Sequence, residues 1–197
     1  MESQGWLFPE IEPAASAEQP RAFRYAEDIV TENEEARVAA ALAQLDLKSF
    51  EFHGHIGNRR VVSFGLEYDY DRRSVKAAAE MPGFLGDLLL RAAKFAGCDQ
   101  GAIRQVGINE YPAGAGVGWH KDKMQFGIIV GVSLLAPATM RFRKAEGARW
   151  VRISHNLKPR SIYILSGEAR SDWEHSIAPV ERLRYSINFR TISGAVT

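Results

Sequence analysis

Arg184-Tyr185-Ser186-Ile187-Asn188-Phe189-Arg190 alternates polar and apolar side chains from end to end. An extended chain throws successive side chains to opposite sides. Arg184, Ser186, Asn188 and Arg190 therefore share one face of a strand, and Tyr185, Ile187 and Phe189 the other. An ordinary strand of this pattern turns its arginines to solvent. If both faces are covered instead, two guanidinium groups are buried side by side, at high cost unless an acid fills the space between them. The planar fork of arginine suits a carboxylate, and a dicarboxylate ligand meets the need.

The segments around this stretch read as more strands. Arg60 to Phe64, Ile103 to Tyr111, Phe126 to Leu134, Thr139 to Phe142, Trp150 to Ile153, Ser161 to Leu165 and Arg184 to Ile192 are rich in β-branched or aromatic residues, with Gly, Pro, Ser or charged turns between them. Many short strands at close spacing predict a sandwich, barrel or jelly roll. Two helices flank them. Glu32 to Leu45 spaces Val38, Ala41, Leu42 and Leu45 helically behind a Thr31 cap, and Phe84 to Phe95 follows Pro82-Gly83 and stops at Gly97. The expected class is mainly β with flanking helices, α+β, the helices packed on a sheet.

A chain of 197 residues holds one domain with a sizeable core. The first 20 residues, with Pro9, Pro13 and Pro20, read as a loosely held arm whose Trp6-Leu7-Phe8 cluster packs on the body, and 21–197 as a single domain. A net charge of +1 argues against coating nucleic acid by bulk electrostatics, though not against a local basic face. Cys98 is the sole cysteine, which excludes an internal disulfide. No export signal is evident in the sequence, and no run of about 20 apolar residues occurs, so neither export nor a membrane span is expected. A cytoplasmic monomer is the expectation.

Chemistry concentrates in Gly114-Ala115-Gly116-Val117-Gly118-Trp119-His120-Lys121-Asp122-Lys123. On an extended chain His120 and Asp122 aim an imidazole nitrogen and a carboxylate oxygen at one point. A second histidine from a distant strand completes a facial triad, and His175 in Trp173-Glu174-His175-Ser176-Ile177 suits that place. Two histidines and one carboxylate leave three positions open, the arrangement associated with Fe(II) oxygenases. Zinc hydrolysis is the rival, but its pair of histidines one helical turn apart with a glutamate is missing from the sequence. His53, His55 and His155 lack a partner at ligand spacing, and Cys98 reads as packing.

With these motifs in hand, residues 51–192 resemble the AlkB family of 2-oxoglutarate-dependent dioxygenases. The marks are Asn109-x-Tyr111, the glycine-rich approach to His120-x-Asp122-Lys123, the distal His175, and residues 184–190, which look like the family's R-x-N-x-T-x-R. The resemblance implies a double-stranded β-helix, a cupin-like jelly roll, with Fe(II), 2-oxoglutarate and dioxygen at its mouth. It implies His120, Asp122 and His175 as iron ligands and Arg184 as the partner of the distal carboxylate of 2-oxoglutarate. Arg190 and Ser186 would lie near the chelating end, on the face that Asn188 shares, with Asn109 and Tyr111 completing the pocket.

Arg60 to Tyr70 is similar to the family's nucleotide-recognition lid, which makes Tyr68 and Tyr70 candidates to hold a base taken out of its stack. Packing of both rings into the core is the competing expectation. Lys121, Lys123, Arg59, Arg60, Arg72, Arg73, Arg141, Arg143 and Lys144 form a phosphate track if they gather round one opening, and are ordinary surface charges otherwise.

Two positions depart from the family pattern. Ser186 stands where asparagine is usual, and Met124 stands where repair members carry an acid that reads the substrate base. A thioether accepts weakly from an exocyclic amine. The resemblance implies oxidative dealkylation of DNA or RNA bases. Stable hydroxylation of a modified tRNA nucleoside, oxidation of a protein side chain, and a jelly-roll module that binds metal or carboxylate without turnover are the alternatives.

Overall fold

The 184–192 stretch is a strand with both faces covered. A computed structural model describes residues 19–52, 55–69, 74–77 and 79–193. The arm to residue 18 with its Trp6-Leu7-Phe8 cluster, and His53, Tyr70, Arg72 and Arg73, lie outside the described residues.

The elements run β1 (Phe23–Ala26), α1 (Glu32–Leu42), β2 (Lys48–Phe52), β3 (His55–Asp69), β4 (Ser74–Ala77), α2 (Gly86–Ala96), β5 (Ile103–Tyr111) and β6 (Val117–His120). They continue with β7 (Phe126–Leu134), β8 (Ala138–Glu146), β9 (Arg149–Leu157), β10 (Ser161–Leu165), α3 (Gly167–Ser171), β11 (Glu174–Ile177) and β12 (Arg184–Ile192). One sheet has the order β1-β10-β7-β12-β5-β3-β2, with β4 paired to β3, and a second has the order β6-β11-β8-β9. All described pairings are antiparallel.

Two apolar layers result. Tyr185, Ile187 and Phe189 of β12 join Ile108, Val132 and Ile164 and meet Leu42 of α1 and Leu88, Ala92 and Ala93 of α2. Each fully buried side chain of this size contributes roughly 1.5–3 kcal/mol. The other layer lies between the sheets, where Tyr111, Phe126, Met140, Phe142, Tyr163 and Ile177 pack. Arg184, Ser186, Asn188 and Arg190 point into it, away from the helices. The helix ends follow their residues. The Thr31 hydroxyl accepts from the Glu34 amide at 3.2 Å and the Thr31 amide donates to the Glu34 carboxylate at 2.8 Å, a capping box. Gly97 ends α2 at φ 73, where a residue with a Cβ is strained. None of the described helices is long and apolar enough to cross a membrane.

Candidate metal centre

Strands β6 and β11 pair so that His120 and His175 are directly opposed. Their ring centroids are 4.3 Å apart, and His175 Nε2 lies 3.3 Å from Asp122 Oδ2. One ligand atom from each of His120, Asp122 and His175 falls within 4.8 Å of the other two, so a single ion can touch all three. Each histidine is prepared differently. His120 Nδ1 lies 2.9 Å from the Gly118 carbonyl oxygen; donating there leaves Nε2 with its lone pair free to ligate. His175 is buried among apolar side chains, and burial pushes its imidazole down to about 4 against the pull of Asp122. It is therefore neutral, the form that binds metal, through the neutral pH range.

Asp122 is not on the same strand as His120, as the two-residue spacing suggested. Strand β6 ends at His120, and residues 121–123 leave the sheet. Helix α3 holds this segment: Lys121 Nζ donates to the Ser171 carbonyl at 2.6 Å, and Arg170 donates to the Lys123 carbonyl. Neither α3 nor Arg170 figured among the sequence candidates, because a five-residue helix has no periodicity to detect.

Beside the triad lies a polar floor built by β12 and its neighbours. Arg184 is 0% exposed, and Ser186 is buried with it. Arg184 Nε donates to Ser133 Oγ on β7 at 3.0 Å, and its guanidinium lies 4.9 Å from the Tyr111 ring centroid. Both Arg184 Nη atoms are buried without a hydrogen-bond partner among the described residues. Arg190 is fixed through Nη1 to Gln105 Oε1 at 2.9 Å, and its Nε is also unpartnered. Burial depresses the Arg190 guanidinium, offset in part by the Asp122 carboxylate, so this end of the floor lies toward Asp122. Strand β5 sets Asn109 opposite Ser186 and Tyr111 opposite Arg184, both buried.

Tyr163 on β10 was missed. Its hydroxyl donates to Asn188 Oδ1 at 3.3 Å, and burial pushes the phenol up to about 12, so it stays a neutral donor. The ring crosses β7 at Gly131, where any Cβ would meet it at 2.1 Å. The sequence signal was present: in Ser161-Ile162-Tyr163-Ile164-Leu165, Tyr163 shares a face with Ser161 rather than with the isoleucines.

The floor suits a small dicarboxylate, because unpartnered guanidinium donors buried in an apolar layer call for anionic acceptors. The N, O, N donor set beside it suits Fe(II). Among the tentative substrate residues, Met124 is 82% exposed, beside the 121–123 segment. Tyr68 lies in β3, with its side chain outside the described set, as is that of His55. His155 is not near the triad: it packs edge-on against Phe23 and Tyr25. Three members of the expected basic track are ion-paired within the chain. Arg60 pairs with Glu110, Arg143 with Glu174 and Lys144 with Asp172, because each reaches an acid from its own or a neighbouring strand or from the end of α3.

Residues 17–190 match the family model described as 2OG-Fe(II) oxygenase superfamily. The chain belongs to that superfamily. Within the superfamily it is AlkB-like. It is 32% identical over 174 residues to the Arabidopsis thaliana alkylated DNA repair protein ALKBH8 homolog, covering 76% of this chain and 49% of that protein. It is 28% identical over 159 residues to the Mus musculus tRNA (carboxymethyluridine(34)-5-O)-methyltransferase ALKBH8, covering 78% of this chain and 24% of the relative. The chain thus spans about half and about a quarter of these two proteins. The solved structure of OsALKBH1 superposes with a TM-score of 0.63 at 14% identity, over 88% of this chain and 97% of that one. The two-sheet architecture of this oxygenase is accordingly the double-stranded β-helix expected from the resemblance.

Proposed function

We propose that this oxygenase removes alkyl groups from nucleobases of DNA or RNA by hydroxylating the carbon attached to a ring nitrogen. The observation that carries the cosubstrate assignment is the fully buried Arg184 with two unpartnered Nη atoms beside the His120, Asp122 and His175 cluster. The alkylated-base assignment is supported by the AlkB-like relatives.

When bound, iron couples the oxidative decarboxylation of 2-oxoglutarate by dioxygen, giving succinate and carbon dioxide, to insertion of one oxygen atom into a substrate C–H bond. His120 Nε2, an Asp122 oxygen and His175 Nε2 would hold the ion. Arg184 would take the distal carboxylate of 2-oxoglutarate through its Nη donors. Arg190, with Ser186 and Asn188, would serve the chelating end, and Asn109, Tyr111 and Tyr163 would line the space between. The apolar layer around them keeps bulk water off the reacting end and strengthens each charged contact. An N-hydroxymethyl product loses formaldehyde and returns the proton to the ring nitrogen, restoring the base.

A second assignment, stable hydroxylation of a modified tRNA nucleoside, draws on the name of the mouse relative and on Met124, which puts no acid where a methylated base would be read. Tyr68 and Tyr70 remain the candidates for holding the extruded base in either case. We also place the protein in the cytoplasm as a monomer, with 21–197 as its catalytic domain; the unpaired Cys98 thiol is consistent with a reducing compartment. Incubating the iron protein and 2-oxoglutarate with methylated oligonucleotides and with bulk tRNA, then weighing the products, tests this. The expected result is a loss of one methylene mass with release of formaldehyde. A gain of one oxygen on tRNA supports the second assignment, and no change on any nucleic acid removes both.

A further inference from the structure

The outer face of the second sheet carries charge that the metal centre does not use. Strands β8 and β9 set Arg143 directly opposite Arg152. Like charges in such a cross-strand pair repel and destabilise the sheet. Glu174 on β11 answers Arg143, while Arg152 is exposed and has no ion-pair partner among the described residues. Arg141, two residues before Arg143 and on the same face, is held by the Ser176 hydroxyl at 3.0 Å and not by an acid. Three guanidinium groups thus face one carboxylate, in a chain whose net charge is +1.

Flat aromatic surface is interleaved with this charge. The Arg143 guanidinium lies 4.6 Å from the Trp119 ring centroid and 4.5 Å from that of Trp150, and Arg141 lies 5.3 Å from Trp119. Trp150 is 44% exposed. Helices α1 and α2 pack on the other sheet, so neither covers this face. Charge alone would suit an acidic protein segment as well as a phosphate chain. Exposed indole beside arginine adds stacking platforms for bases, which an acidic peptide does not exploit.

We infer that this face binds single-stranded nucleic acid, with Arg141 and Arg152 on phosphates and a base on the Trp150 ring. Trp119 directly precedes His120 on β6, so the edge of the face and the metal centre share one strand. The bound segment is the strand that flanks the nucleotide presented to the iron. The inference rests on nucleic acid being the substrate, and it is tested without turnover so that the two fail separately.

The experiment is fluorescence anisotropy of the full chain with a labelled, unmodified single strand of about twelve nucleotides, over a series of salt concentrations. Trp150→Ala is expected to weaken binding about 5- to 100-fold, the range that stacking of one base supplies. Trp150→Phe is expected to restore part of that loss. Arg152→Ala is expected to reduce the salt slope by about 0.7, the value for one phosphate on a single strand. Both side chains are exposed, so neither change removes core packing. Wild-type affinity in Trp150→Ala and Arg152→Ala together overturns the inference. So does displacement of the strand by a polyglutamate peptide at equal charge concentration, which would assign the face to acidic protein. An absence of oxidised product in the mass assay bears only on the reaction.

Discussion

Two buried charges in this protein are handled in opposite ways. Glu110 is given its partners by the fold: Arg60 donates to both carboxylate oxygens at 2.7 and 2.9 Å, and the Tyr185 hydroxyl donates at 3.0 Å. Arg184 receives one hydroxyl and keeps two buried donors free, a cost that a protein retains where a ligand supplies the acid. The Glu110 cluster has a pH signature. The hydrogen bonds from Arg60 hold the carboxyl below its usual range, outweighing burial, so its folded pKa lies below the unfolded value. Its stabilisation is therefore complete above the unfolded carboxylate pKa and is lost as pH falls through the depressed folded value. Glu110→Gln is expected to lower stability by about 1 kcal/mol near neutral pH, a modest figure because Arg60 is half exposed, and to converge on the wild type in acid. Chemical denaturation at several pH values checks this; a difference that grows on acidification contradicts it. The roles of these residues were unequally legible. Alternation placed Arg184 and Arg190 on one face, but only the stacking of two sheets buries that face. Met124 stands where the family pattern has an acid, and no local pattern tells where its side chain lies.

Elements whose residues carry their own periodicity were legible: β5, β7, β10 and β12 fall where β-branched and aromatic runs predict, and α1 begins at its capping threonine. Four-residue strands were not. β6 follows a glycine-rich stretch and is fixed as a strand because β11 pairs with it; β1 forms the edge of its sheet beside β10. Such strands are set by distant partners, which no window of sequence contains. The same holds for α3, whose position matters more than its length. Arg170 reaches the Lys123 carbonyl and feels the Asp122 carboxylate, so it is a positioning residue for the segment that carries Asp122. Arg170→Ala is expected to weaken Fe(II) binding about 10- to 100-fold, as loss of outer-sphere support does, with the far-ultraviolet circular dichroism unchanged. Anaerobic titration measures it, and Arg170→Lys should recover part of the affinity. Unaltered affinity in the alanine variant would separate α3 from the metal.

On the scale of the whole molecule, helices cover one side of the larger sheet, and the polar floor and the His120, Asp122 and His175 cluster occupy the gap between the two sheets. The long strand pairings place β5, β7, β10 and β12 side by side, so residues far apart in sequence, from Asn109 to Arg190, meet on one surface. The family model and the OsALKBH1 superposition agree with that arrangement. What the arrangement requires is that one Fe(II) and one 2-oxoglutarate bind together between the sheets. Anaerobic titration of the purified chain with Fe(II) and 2-oxoglutarate, followed by the visible charge-transfer absorption of the chelate, measures this directly. Wild type should develop the band at one iron per chain, His120→Ala and His175→Ala should not, and Arg184→Ala should need roughly 10- to 100-fold more 2-oxoglutarate for loss of charged hydrogen bonds. A wild-type chain without the band, or a band of undiminished strength in His175→Ala, would contradict it.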